Sequence, residues 1–364
     1  MKLKINNDNM NSNYYAIIMA GGIGSRFWPV STKKFPKQFH DMLGTGETLI
    51  QKTFSRLEKL IPAENILIST NEEYKELVLE QLPKINETQL ILEPTMRNTA
   101  PCILYAAKKV YAQNKDAVML VAPSDHWIED EDTFIKSIET SFKATEKQNI
   151  LMTLGIQPSF PNTGYGYIQF TEEASEIKKV KQFTEKPNLE KAKEFLASGE
   201  YLWNAGIFIW SAAHILNSFE KYLPEMFTLF GKGDAVWNSE NESEFIKENY
   251  PLAENISIDF GIMEKAKNVY VLPVDFGWND LGTWGSIYTK LPKDAQENAI
   301  VGDKTVCIES KNNMIRSTGE KRIVVCGLED FIVVEDKDTI LICPKDKEQE
   351  IKNISAEVNK KFPL

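Results

Sequence analysis

Residues 14–29 read Tyr14-Tyr15-Ala16-Ile17-Ile18-Met19-Ala20-Gly21-Gly22-Ile23-Gly24-Ser25-Arg26-Phe27-Trp28-Pro29, and Pro36-Lys37-Gln38-Phe39 follows soon after. The apolar run Tyr14–Met19 reads as a buried strand. Three glycines in four positions then allow positive φ and a close approach of backbone to a ligand. Backbone N–H groups exposed in such a loop can cradle an anion. Arg26, Lys33, Lys34 and Lys37 add positive charge just downstream. The pattern reads as a phosphate-handling loop. A flexible turn with solvated lysines would use the same residues, because glycine punctuates turns of every kind. The spacing is not G-x-x-x-x-G-K-[ST], and Gly22-x-Gly24 lacks the third glycine of G-x-G-x-x-G.

Outward from this loop, apolar runs alternate with helical patterns. Strands are expected at 66–69, 89–92, 117–122 and 150–154. Helices are expected from Thr48 through Ile61, over Glu72–Leu82, from Asn98 or Thr99 to Gln113, and over 132–146. Thr48 and Gln51 have capping-box spacing, and Pro101 falls in a first turn, where a missing N–H costs little. Repeated strand–helix–strand units predict an α/β fold with a mostly parallel sheet covered on both faces. Ligands of such sheets bind at the carboxyl ends of the strands. The glycine loop, residues 93–100 and Pro123-Ser124-Asp125-His126 all fall there.

After residue 155 the pattern changes. A glycine-aromatic turn (161–167), strands at 180–184 and 207–210, and helices at 189–197 and 214–230 read as an insertion forming one wall of a cleft. A last sheet strand is expected at 269–274. Beyond about Pro292 only short β-rich runs remain, then a helix over 347–360. The expected division is a polar tail (1–13), a catalytic domain (14–291) and a small β domain (292–364), with Cys307, Cys326 and Cys343 recurring about one coil apart on an inward face.

The chain has 364 residues, 42% hydrophobic and 26% charged, with formal net charge −10. Those are ordinary globular values. An acidic chain lacks the basic field that supplies most nucleic-acid affinity. The four cysteines form no C-x-x-C pair and only three histidines exist, which argues against zinc and for a reducing compartment. The polar start is unlike a signal peptide, and no apolar run reaches the ~20 residues of a membrane span. A cytoplasmic protein is expected, with no nucleic-acid or membrane partner.

Several residues carry chemistry. Asp125 and Asp280 each follow an apolar strand, and two carboxylates on one hard cation is the usual Mg²⁺ arrangement in phosphoryl chemistry. Each could instead cap a turn or helix. Glu93 could accept both N1–H and the 2-amino group of guanine, or be an exposed glutamate before a turn. Glu185-Lys186 divides into a hydroxyl acceptor and a phosphate partner. Asn204 could hydrogen-bond a sugar. His126 has no nucleophile motif beside it and is read as structural.

Together these segments resemble a known family. The stretch AGGIGSRFWPVSTKKFPKQF is similar to the signature of sugar nucleotidylyltransferases, in the form found in mannose-1-phosphate guanylyltransferases. EPTMRNTAP, APSDH, FTEKP, WNAGIFIW, SIDFGIMEK and FGWNDLGTW match later motifs of that family in order. The resemblance implies a Rossmann-like, mostly parallel mixed sheet flanked by helices and a short left-handed β-helix at the C-terminus, as in monofunctional members. It implies a Mg²⁺-dependent transfer of GMP from GTP to mannose 1-phosphate. Arg26 and Lys37 would be catalytic. Ala20, Gly21, Gly22, Gly24, Glu93, Asn98, Thr99 and Ser124 would bind the nucleotide. Gly164, Tyr165, Glu185, Lys186, Asn204 and Asp259 would bind the sugar phosphate, and Asp125 and Asp280 the metal. Phe27, Ser124 and Asn279 depart mildly from the family pattern. Alternatives are a manno-heptose 1-phosphate substrate and a silent sugar-nucleotide-binding regulator. The latter is disfavoured because Lys37 and both aspartates are present. The small β domain would either mediate a homodimer or cover the cleft.

Overall fold

The computed structural model describes residues 10–317 and 319–362; most of the expected polar tail, residues 1–9, lies outside them. In chain order the strands and helices are β1 (Tyr14–Met19), α1 (Leu49–Leu57), β2 (Ile66–Asn71), α2 (Lys75–Gln81), β3 (Leu90–Glu93), α3 (Thr99–Gln113), β4 (Val118–Pro123) and α4 (Glu131–Lys147). Then come β5 (Leu151–Ile156), β6 (Tyr167–Phe170), β7 (Lys178–Thr184), α5 (Leu189–Ser198), β8 (Tyr201–Ser211), α6 (Ala212–Tyr222), α7 (Pro224–Gly231), α8 (Glu242–Asn249) and β9 (Val269–Val274). The C-terminal part holds α9 (Trp284–Lys290), β10 (Ala299–Val301), β11 (Thr305–Ile308), β12 (Met314–Ser317), β13 (Ile323–Cys326), β14 (Phe331–Asp336), β15 (Thr339–Pro344) and α10 (Ile351–Lys361).

The described residues form two compact units. The first comprises 10–21, Thr53–Ser124 and Ile128–Trp278. The second comprises Gly22–Lys52, Asp125–Trp127 and 279–362. This grouping differs from the expected division at 291/292. Most of the signature loop groups with the C-terminal part, because Phe27, Val30, Met42 and Leu49 share one buried cluster with Leu281, Trp284, Ile287 and the apolar faces of β10, β12 and β14. Phe27 meets Trp284 edge-on, 5.2 Å between centroids.

The first unit is built on a nine-stranded mixed sheet, ordered β3-β2-β1-β4-β8-β5-β9-β7-β6. Strands β3, β2, β1 and β4 are parallel; β8 then runs antiparallel between β4 and β5. Strand β1 is apolar throughout because both its faces are covered, as parallel strands require. Local chemistry sets the helix starts. The side chains of Asn98, Asp130, Asn188 and Ser211 each accept a backbone N–H at the start of their helix.

Four sequence expectations need correction. The helix expected through Ile61 ends at Leu57, and turns carry the chain onward. The helix expected over 214–230 is two helices, because Pro224 cannot donate a helical N–H and starts α7 instead. Helices α8 and α9 were not anticipated; both are short and weakly patterned. Helix α8 buries Ile246 in the core, with Phe245 packed beside it, and its first turn is anchored by an ion pair. Glu242 is buried and accepts from Lys109 Nζ at 2.8 and 2.9 Å, from Tyr105 Oη at 2.6 Å and from Asn238 N.

In the second unit, β10, β12 and β14 stack in parallel, as do β11 and β13, in the manner of a short β-helix; β15 closes one face antiparallel to β14. The cysteine expectation fails here. Cys343 is buried and Cys307 half-buried, but Cys326 is exposed. Cys307 pairs with Val325, so Cys326 falls on the opposite face of its strand. Arg316 on β12 is buried and its guanidinium donates to the carbonyls of Asp41 and Met42 at 3.0 and 3.3 Å, fastening the segment after the signature loop.

The Lys109–Glu242 pair gives a stability test. Glu242→Gln leaves the Lys109 ammonium buried with a weakened partner and is expected to cost about 3 kcal/mol. Lys109→Met combined with Glu242→Leu should cost clearly less. Urea unfolding of these variants against the parent reads the difference.

Candidate active site

In the second unit the signature loop closes around Lys37. Of the three glycines only Gly24 has positive φ (69°), so the expectation that all three supply left-handed backbone narrows to one. Gly24 has a second reason to be glycine. A Cβ there would lie 2.5 Å from Lys37 Cβ. Gly22 faces open space, and Arg26 is exposed on the short turn Ser25–Phe27. Lys37 is 3% exposed, and its ammonium donates to Asp125 Oδ2 and to the main-chain oxygen of Asp280, each at 3.0 Å. Burial pushes the Asp125 carboxyl up, but Lys37 and His126 outweigh it and hold the group below its ordinary value.

Asp125 by its carboxylate and Asp280 by its main-chain oxygen thereby meet one ammonium. The Asp280 side chain accepts from Gly282 N at 3.1 Å, a turn fixed by Leu281 at φ 45°. Among the described residues no cluster of three or more His, Cys, Asp or Glu could hold a metal by itself. Two carboxylates fit a hard cation whose other ligands are phosphate oxygens and water, as Mg²⁺ sites usually are.

In the first unit, Glu93 is 9% exposed at the end of β3. Its two oxygens accept from Ser69 Oγ (3.0 Å) and Tyr250 Oη (2.6 Å). A Cβ on Gly21 would lie 3.9 Å from Oε1, so the loop backbone runs beside the carboxylate. Burial raises the Glu93 carboxyl, and the two hydroxyl donors oppose that rise. Asn98 caps α3 at φ 65°, and Thr99 Oγ1 accepts from Ile258 N at 2.9 Å. Ala20 and Ser124 extend the sheet: Ala20 N donates to Ser69 O, and Ser124 N to Met19 O. Both are buried, and the Ser124 carbonyl accepts from Thr53.

The expected sugar residues gather in the same unit. Asn204 Nδ2 donates to Asp259 Oδ1 at 3.0 Å, while Asn204 Oδ1 accepts from Thr153 Oγ1 and Gly206 N. The Glu185 side chain is 9% exposed and accepts from the exposed Lys186 at 2.6 Å. Lys186 sits at φ 46°, a costly conformation for a residue with a side chain. Gly166 is glycine because a Cβ would lie 2.5 Å from Glu185 Oε2. Tyr165 packs edge-on against Trp203 and Trp278, at 5.1 and 5.2 Å. Gly164 is exposed in the turn before them, its N–H held by Asn162. Burial, with the Glu185 charge adding to it, pushes the Asp259 carboxyl up to about 7.

Sequence reading missed Ser69, Thr153, Gly166 and Tyr250. None belongs to a motif with chemistry of its own. Only the sheet register and the return of residues 250–258 past the 93–100 loop bring them to the site.

Asp259 yields a prediction with a definite sign. A carboxyl raised in the folded state binds more protons there than when unfolded, so its contribution to stability falls as pH rises from about 4 to about 7. Asp259→Asn should therefore gain thermal stability relative to the parent as pH increases through that window, and the difference should level off above it. Melting curves of both proteins across the pH series measure this.

Comparison with known proteins identifies the family. The nucleotidyl transferase family model matches residues 15–297, and a β-helix domain model described as MannoseP isomerase/GMP-like matches residues 303–358. The chain is similar to a mannose-1-phosphate guanylyltransferase of Escherichia coli, 36% identical over 95% of this chain and 75% of that protein. It is also similar to the alginate biosynthesis protein AlgA of Pseudomonas aeruginosa, 36% identical over 94% and 72%. A solved structure from Thermus thermophilus, described as a mannose-1-phosphate geranyltransferase, superposes with TM-score 0.85 at 30% identity, covering 95% of this chain and 99% of that one. Nucleotidyl transferases of this kind generally use a divalent metal and act on nucleotide and sugar-phosphate substrates. No helix among the described residues is long and apolar enough to cross a membrane. With a family model over most of its length and relatives of this identity, the chain belongs to the nucleotidyl transferase family.

Proposed function

We propose that the chain transfers GMP from GTP to α-D-mannose 1-phosphate, giving GDP-mannose and pyrophosphate. The observation that carries this reading is the buried Lys37 ammonium held between Asp125 and the Asp280 carbonyl. A buried cation fixed beside two carboxylate-bearing turns is built for phosphate charge rather than for acid–base work. A sugar phosphate oxygen attacks the α-phosphorus of GTP in line, the new O–P bond forms, and the bond to the departing pyrophosphate breaks. The nucleophile is already an anion at neutral pH, so no general base is assigned. Rate enhancement then rests on positioning and on charge stabilisation.

Lys37 and Arg26 are assigned to the phosphates, Lys37 rigidly and Arg26 from an exposed position that lets it follow the leaving group. Gly21, Gly22 and Gly24 are assigned to the triphosphate. Asp125 and Asp280 would hold Mg²⁺, which when bound neutralises charge on the phosphate oxygens. Glu93 is assigned to guanine: each of its oxygens keeps a lone pair after accepting from Ser69 or Tyr250, enough for N1–H and the 2-amino group. Asn98 and Thr99 hold the loop that carries this reading. Glu185, Asn204 and Asp259 are assigned to hexose hydroxyls, Tyr165 and Gly164 to the wall beside them, and Lys186 to the sugar's phosphate. A cytoplasmic location and a homodimer belong to the same reading.

Pyrophosphate release, measured with each nucleoside triphosphate against a panel of hexose and heptose 1-phosphates, tests the reaction. GTP with mannose 1-phosphate should be the fastest pair. A faster heptose 1-phosphate would replace the sugar while keeping the chemistry. Lys37→Ala and Asp125→Ala should each lower kcat by about 100-fold or more. Near-normal turnover in either, with an intact melting transition, would remove its role. Glu93→Gln should reduce the preference for GTP over ATP by at least about ten-fold.

A further inference from the structure

Glu93 is one member of a buried cluster that no sequence motif contains. Tyr250 is fully buried on the turn after α8, and its hydroxyl lies 2.6 Å from Glu93 Oε2. Ser69, at the end of β2, places its hydroxyl 3.0 Å from the other oxygen. The segment carrying Tyr250 is tied to the 93–100 loop at further points. Arg97 donates to the Pro251 carbonyl, Ala100 N to Ile256 O at 3.1 Å, and Ile258 N to Thr99 Oγ1 at 2.9 Å. These hydrogen bonds tie the stretch carrying Tyr250 to the 93–100 loop at three points besides the Tyr250–Glu93 contact. The phenol also has few other duties: it is buried among apolar groups, edge-on to Phe230.

We propose that Tyr250, together with Ser69, is a positioning residue for nucleotide-base selection, clamping the Glu93 carboxylate so that its remaining lone pairs point in one direction. This rests on the reading of Glu93 as the guanine acceptor. A carboxylate free to rotate about its last bond would meet two parallel N–H donors only part of the time. It could also be satisfied by bases with a single donor. One hydroxyl on each oxygen removes that freedom and leaves a matched pair of acceptor sites. It also offsets the burial of the charge, since two hydrogen bonds to the ionised form favour it. The titratable groups facing Glu93 are Tyr250 and, on α3, the buried Cys102 thiol; Tyr105 adjoins Tyr250. Both phenols and the thiol are pushed upward, chiefly by burial, and Glu93, itself raised by burial, is the carboxyl of this cluster.

The test measures kcat/KM for GTP and for ATP, with mannose 1-phosphate fixed, from acidic to neutral pH. In the parent, protonation of Glu93 gives the GTP profile an acid limb. Tyr250→Phe removes one donor to the carboxylate. It should move that limb to higher pH and reduce the GTP-over-ATP preference by about ten-fold, with the effect mainly in KM for GTP. Ser69→Ala should shift both in the same direction and carries the test alone if Tyr250→Phe does not fold. A fall in activity equal for GTP and ATP, with the acid limb unmoved, would mean a merely structural tyrosine and overturns the proposal. Glu93→Gln separates the two levels. If it leaves the GTP preference intact, the base reading itself fails. If it erodes the preference while Tyr250→Phe does not, only the clamp fails. In the Glu93→Gln background, Tyr250→Phe should cause no further loss of preference.

Discussion

The second unit depends on the burial of one ammonium. Lys37 is nearly inaccessible, and a charge so placed is tolerated only when paired and hydrogen-bonded. Its partners are the Asp125 carboxylate and the Asp280 carbonyl, supplied by two segments far apart in sequence. The lysine therefore does structural work before any substrate is present. It draws the turn after β4 and the turn after β9 onto the signature loop. Gly24 is the counterpart of this constraint, since any side chain there would occupy the space of the lysine stem. The glycine that suggested an anion-binding loop thus has a partly different cause: it makes room for a cation.

The first unit solves a comparable problem with anions. The side chains of Glu93, Glu185 and Glu242 are largely removed from water and Asp259 is half-buried, and each is given a different set of partners. Glu242 has a full ion pair and anchors a helix. Glu93 has two hydroxyls. Asp259 has the Asn204 amide, a backbone N–H and the more distant Lys186 charge, and burial with the Glu185 charge outweighs them, so its carboxyl rises. Compensation thus runs from the ion-paired Glu242 to the weakly compensated Asp259.

Much of this was legible in the sequence, for identifiable reasons. Strand β1 is apolar on both faces, so its type and place were evident, and Asn98 and Thr48 carry the side chains that helix starts require. Positively charged and acidic residues at strand ends marked the candidate site. What stayed hidden depended on distant parts of the chain. Helix α8 is anchored by a carboxylate that pairs with Lys109 on another helix. Cys326 turned outward because the pairing of β11 with β13 sets Val325, not Cys326, opposite Cys307. Tyr250 meets Glu93 only because the chain returns past β3. Spacing within a segment cannot report a partner more than a hundred residues away.

The apolar cluster of Phe27, Val30 and Met42 with Trp284, Ile287 and the β-helix strands has an evolutionary consequence. A terminal domain that merely hangs from a catalytic body can be lost, exchanged or appended by recombination at the linker. Here the C-terminal coils supply the floor on which the signature loop is folded. A splice near residue 291 would strip apolar partners from the signature loop. Descent should therefore treat residues 22–52 and the coils as one heritable block, co-varying although they lie far apart in the sequence.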